Sequence, residues 1–124
     1  MAKVSDIKDC VRALMQENEE SIKSYDDFFI PVLNTLIFEN TAIDRNLKQA
    51  KGDADDGIGI AKINTLEDNL PFEDEIALGT LPYGIAAALL VESDANRAAY
   101  FLNQYKQKQS LFTKAAIKQI KDVM

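Results

Sequence analysis

Apolar side chains recur at three- and four-residue spacing in four stretches of this chain. That period puts successive apolar groups on one face of a helix, so the expected fold is all-α. The longest stripe is Phe29, Val32, Leu33, Leu36, Asn40, Ile43, Leu47 and Ala50. Asp26 and Asp27 suit the start of this helix. Pro31 fits only its first turn without kinking it, which puts the start between Ser24 and Pro31. Lys48 and Lys51 complement the dipole at the other end, and Gly52 is the expected C-terminal cap.

A first helix over residues 4–17 carries Val4, Ile7, Val11, Leu14 and Met15 and stops at the polar stretch Glu17-Asn18-Glu19-Glu20-Ser21. A third runs from about Asp74 to Val91 on Ile76, Leu78, Leu81, Ile85, Ala88 and Leu89. Gly79 and the Leu81-Pro82 step interrupt it: Pro82 either kinks one helix or opens a second. The small side chains of Ala86, Ala87 and Ala88 let a neighbouring helix come close. Asp94 is a credible N-cap for a last helix with the stripe Ala98, Leu102, Tyr105, Gln109, Phe112, Ala116 and Ile120. Residues 53–71 break the pattern. Asp53 to Gly59 has loop composition, Ile58 to Ile63 could hold a short extended segment, and Leu70-Pro71 closes the connection. The expectation is one helical domain over 1–124: a small bundle of about four helices with this long loop between the second and third.

Several kinds of chemistry are excluded by residue type. The 124 residues contain no histidine, which removes Ser-His, Cys-His and HExxH arrangements and the commonest metal ligand. Cys10 is the sole cysteine, so no disulfide can form within the chain. It lies on an apolar-periodic segment and reads as a buried structural thiol. With no secretory signal in view, the expectation is a reducing compartment. No apolar run approaches the ~20 residues needed to span a bilayer. Twenty acidic against 14 basic side chains give a net charge of −6, and a general nucleic-acid surface needs the opposite excess.

The remaining constellations read as structural. A calcium loop starting at Asp53 would need an oxygen ligand where Gly57 stands, glycine where Ile58 stands and a bidentate glutamate where Asn64 stands. Gly57-Ile58-Gly59 has Lys62 where a dinucleotide fingerprint needs its third glycine, and no βαβ unit surrounds it. Glu19/Glu20 and Glu73/Asp74 are sequence neighbours, which do not face each other on a helix. No metal, cofactor or catalytic set is expected, and the chain reads as a non-enzyme. One charge pattern stands out: the last helix carries five lysines against only Asp94 and Asp122 as acidic residues, which makes the last third of the chain basic and the middle acidic. The basic helix, with Lys106, Lys108, Lys114, Lys118 and Lys121, is open to three readings: a solvated face, a docking surface for an acidic partner, or weak phosphate contact. Such asymmetry suits head-to-tail packing of like subunits.

A family resemblance lies in the segment from Leu70 to Tyr105. Leu70-Pro71, Leu81-Pro82-Tyr83-Gly84-Ile85-Ala86-Ala87, Glu92-Ser93-Asp94 and Arg97-Ala98-Ala99-Tyr100-Phe101-Leu102-Asn103-Gln104-Tyr105 resemble the head–tail connector (head-completion or adaptor) proteins of tailed bacteriophages and prophages. Leu33-Asn34-Thr35-Leu36 with polar Asn40 resembles the long second helix of that family. The resemblance implies a structural virion protein, assembled in the bacterial host cytoplasm as an often dodecameric ring below the portal. Its partners would be the portal protein and tail or head-completion proteins, with DNA only in transit. It also implies that the loop at 53–69 reaches a neighbour or the channel. Asp53, Asp55, Asp56 and Lys62 are then the candidate ring or channel contacts, and an acidic lumen lets DNA slide. Lys106, Lys108, Lys114, Lys118 and Lys121 are the candidate subunit-docking residues. Alone, the protein should be a monomer or weak oligomer. Two other readings stand beside this one: an acidic helical regulator that binds another protein, and a tail-completion protein.

Overall fold

The structure, a computed structural model, describes residues 2–18, 20–52 and 62–123, with side chains through Lys114. It is built of helices α1 (Val4–Met15), α2 (Asp26–Ala50), the single turn α3 (Asp74–Ala77), α4 (Leu81–Leu90) and α5 (Ala95–Val123). Two short strands, β1 (Ala2–Lys3) and β2 (Asn69–Leu70), pair antiparallel with Ala2 opposite Leu70 and Lys3 opposite Asn69. The helical bundle expected from the periodicity is therefore present. The third expected helix divides at Gly79-Thr80, and Pro82 stands in the first turn of α4, where its missing N–H costs nothing.

The start of α2 falls inside the expected bracket of Ser24 to Pro31, but Pro31 does not stand in its first turn. A 3-10 turn at Ser21–Tyr25 runs straight into α2, so the helix starts at Asp26 and Pro31 lies beyond its first turn. The 3-10 turn is held by reciprocal caps: Ser21 N–H donates to Asn18 Oδ1 (2.7 Å) and Asn18 N–H to Ser21 Oγ (3.0 Å). Pro31 faces solvent, so its ring displaces no core side chain. At the far end Gly52 adopts φ +86°, the left-handed geometry of a C-terminal stop.

One core joins all the elements. Val4, Ile7 and Val11 of α1, Leu33 and Ile37 of α2, Leu70, Ile76, and Leu81, Ile85 and Ala86 of α4 are fully enclosed. Each large member contributes about 1.5–3 kcal/mol of transfer free energy. α4 packs against α1, α2 and α5. It can be central because Gly84 and its alanines present almost no bulk: a Cβ at Gly84 would sit 3.0 Å from Leu36 Cδ1 and from the Tyr105 ring. On α5 the buried seam is Ala98, Phe101 and Tyr105; Leu102, expected inside, is 42% exposed. Phe101 takes that place, its ring beside Tyr83 (centroids 6.3 Å apart), and position 102 lies at the edge of the buried arc. No described helix is long and apolar enough to cross a membrane.

Candidate interaction surfaces

α2 presents three faces with different duties. One enters the core. A second, at Asn34, Asp44, Lys48 and Lys51, holds the connection that follows the helix. Asn34 clasps Ile63 in both directions, donating from Nδ2 to its carbonyl (2.9 Å) and accepting its N–H at Oδ1 (2.8 Å). The buried Asp44 accepts Glu73 N–H at 2.7 Å and pairs with Lys48 Nζ at 3.0 Å. Lys48 also donates to the Pro71 carbonyl, and Lys51 pairs with Glu75 and with Glu73 (3.7 Å). The Lys51 hydrogen bond holds the Glu75 carboxyl below its ordinary range. Every charge on this face is committed to anchoring residues 63–75, so the face is structural.

The connection in turn caps α1. Val4 N–H donates to Asp68 O (3.0 Å) and Ser5 N–H to Leu66 O (2.9 Å), satisfying donors that a helix start leaves open. Asp68 carboxylate accepts the N–H groups of Asn64 (2.8 Å) and Thr65 (3.0 Å), which pulls its carboxyl below the ordinary value. Arg97 closes the other end of α1 by donating from Nη2 to the Met15 carbonyl (2.7 Å).

A buried polar network joins α2 to α5. Asn40 Nδ2 donates to Tyr105 Oη (2.7 Å) and to the Leu36 carbonyl, Tyr105 Oη donates to Glu39 Oε2 (2.9 Å), and Gln109 Nε2 donates to Asn40 Oδ1 (3.0 Å). Burial raises the Tyr105 phenol, and Glu39 adds to the rise. Among the described residues no buried side-chain polar atom lacks a partner, so this network is complete without a ligand.

The third face of α2 points directly away from the core. Phe28, Pro31, Thr35, Phe38 and Ala42 follow three- and four-residue spacing and are all exposed, Phe28 at 61% and Phe38 at 69%. Asp27 and Glu39 border this stripe. α5 has a corresponding outer face of Tyr100, Asn103, Gln107, Leu111 and Lys114, with Tyr100 59% and Leu111 60% exposed. Where α5 meets the end of α1, an open cleft of about 530 Å³ lies between Leu14, Gln16, Arg97, Tyr100 and Phe101.

Of the residues expected to make contacts, Lys62, Lys106 and Lys114 are exposed. Among the described residues no ion pair engages these three. Lys108 stacks its ammonium 4.8 Å over the Tyr83 ring and is partly committed to the fold. Asp53, Asp55 and Asp56, with the Ile58–Ile60 stretch, lie outside the described residues, as do the side chains of Lys118 and Lys121. Cys10 is half-buried, its thiol raised by burial and by Asp9 and Asp6. The outer apolar stripe of α2 escaped the sequence reading, although its signal was there: Phe28 and Phe38 fall outside the stripe that Phe29 begins.

No protein-family model, curated protein or solved structure matches the chain.

Proposed function

We propose that the chain is a structural virion subunit of a tailed bacteriophage or prophage, a head–tail connector that assembles as a ring below the portal. The observation that carries the reading is the use made of the residues that bear the resemblance. Pro82 opens α4, Gly84 admits Leu36 and Tyr105, Asp94 caps α5 through Arg97 N–H (3.2 Å), and Arg97 caps α1. The segment from Leu81 to Tyr105 is thus the keystone of the bundle and not a dispensable surface pattern. Charge supports the same reading, because acidic and basic regions on one chain suit head-to-tail contacts between copies. In this reading Asp53, Asp55, Asp56 and Lys62 face the channel or a neighbour, and the subunit performs no catalysis.

Electron microscopy of the chain mixed with the portal protein of a phage or prophage that encodes it tests the proposal. The expected result is added ring density on the portal. Density on the tail end only would replace head completion by tail completion.

The exposed Phe28–Phe38 stripe also favours a second reading, an acidic regulator that docks another protein on that face. A pull-down that recovers a transcription factor in place of portal or tail protein selects it and removes the connector reading.

A further inference from the structure

The outer faces of α2 and α5 match each other in spacing and in charge. At 1.5 Å per residue, Phe28 and Phe38 stand about 15 Å apart along α2, and Tyr100 and Leu111 about 16 Å apart along α5. Both pairs are apolar knobs on otherwise solvated stripes opposite the core. α2 bears Asp26, paired with Lys8 at 2.6 Å, and Asp27 at its start, and α5 bears no acidic residue from Ala95 to Lys121. The two faces belong to one chain, but α2 and α5 already meet through their inner faces at Asn40 and Tyr105. The outer faces can therefore meet only between copies.

We infer that the α2 outer face of one copy packs antiparallel on the α5 outer face of a second copy. Phe38 then enters the cleft between α1 and α5 beside Leu14 and Tyr100, while Phe28 rests on Leu111 and Asp27 reaches Lys114. The antiparallel direction brings Asp27, at the start of α2, to Lys114 on the far half of α5, while Asp26 stays paired with Lys8 of its own copy (2.6 Å). Two helical dipoles also oppose each other favourably in this direction. The contact is heterologous, since each copy gives one face and receives on another, so it propagates or closes into a ring. A single seam of this length falls short of a standard stable interface of about 1,600 Å², so the pair is weak in isolation. The inference rests on the ring-subunit reading only for closure; the contact itself belongs to the isolated chain.

Cysteine cross-linking in a Cys10→Ala background tests it. A mixture of Phe28→Cys and Leu111→Cys proteins should yield a covalent dimer on oxidation and stop there. Either protein alone should stay monomeric, and the double variant should give a ladder. Self-linking of the Phe28→Cys protein as efficient as the mixture would mean a two-fold contact and would overturn the inference, as would absence of any product in the mixture. Charge reversal gives a second readout by sedimentation velocity at low salt. Asp27→Lys or Lys114→Asp alone should abolish self-association, and the two together should restore it. Failure of the pair to restore it removes the Asp27–Lys114 register. Cross-linking without ring density on the portal would preserve the contact and end the connector reading; ring density without cross-linking would do the reverse.

Discussion

Asn40 Nδ2 donates a 2.7 Å hydrogen bond to Tyr105 Oη across the junction of α2 and α5, 65 residues apart in sequence. Asn40 is fully buried and Tyr105 is only 4% exposed. Four side chains and one carbonyl satisfy one another there, and together they fix the register of the two longest helices. A wholly apolar seam would let α5 slide by a turn at little cost, whereas a slide here strands several buried polar atoms. Tyr105→Phe removes the phenol that accepts from Asn40 and donates to Glu39. The expected loss is about 1–2 kcal/mol in denaturant unfolding, with an unchanged m-value. Asn40→Asp should cost more at neutral pH, because the new carboxylate would face the Leu36 carbonyl with no amide to donate, and part of the loss should be recovered as the medium is acidified.

Gly84 makes that junction close. Alanine there gains helix propensity of up to about 1 kcal/mol, but its methyl lands 3.0 Å from both Leu36 Cδ1 and the Tyr105 ring. The ring cannot retreat, because its hydroxyl is tied to Asn40 and Glu39. Overpacking of this kind costs about 1–3 kcal/mol, so Gly84→Ala should lower the thermal midpoint. In a Tyr105→Ala background the same substitution should become neutral or stabilising, which a double-mutant cycle reads directly.

How far the sequence revealed these arrangements depended on whether the signal was local. Most of the periodic apolar residues, the Asp94 cap, Gly52 and the Pro82 start depend on a few neighbouring positions, and the structure bears them out; Ala88 and Leu102 are exposed instead, and the side chains of Ala116 and Ile120 lie outside the described residues. Asn40 was legible only as a polar gap in an apolar stripe, since its partners lie 65 and 69 residues away. The β1–β2 pair was not legible at all: two residues on each side carry no period, and the pairing exists because α1 and the connection are already held together. Leu102 was misplaced because the buried arc of α5 is centred on Ala98, Phe101 and Tyr105, and the sequence period alone does not say on which side of Ala98 that arc lies.

Asn34 tests how firmly the connection is held. Its two hydrogen bonds to Ile63 keep that side chain in the core, where it is 2% exposed. Asn34→Ala leaves the backbone groups of Ile63 without these partners, at a cost of about 1–3 kcal/mol. Hydrogen exchange should quicken at residues 62–70 and, through Val4 and Ser5, at the start of α1, while α5 keeps its protection.

Gln16 ends α1 at φ 58°, a left-handed conformation that costs a side-chain-bearing residue about 1–2 kcal/mol. Glycine pays no such steric penalty but loses more backbone freedom on folding. Gln16→Gly should therefore raise stability by about 0.5–1 kcal/mol, read as a higher denaturant midpoint. An unchanged or lower midpoint would mean that the Gln16 side chain supports the cleft more than its backbone strains it.

Acid should loosen the connection before the rest of the bundle. The backbone N–H groups of Asn64 and Thr65 hold the Asp68 carboxyl below its ordinary 3.8, and the Lys51 hydrogen bond holds Glu75 below its ordinary 4.5. A carboxyl whose folded pKa is depressed stabilises the fold above its unfolded value, and that contribution disappears as pH falls through the folded value. Thermal midpoints should therefore hold steady down to about pH 4.5 and decline below it. Asp68→Asn keeps an oxygen that can accept from Asn64 but carries no charge to protonate. Its midpoint should be lower than wild type at neutral pH, and the two curves should converge in acid. Parallel curves across the whole range would show that Asp68 acts through shape alone, and that protonation at other carboxylates drives the acid transition.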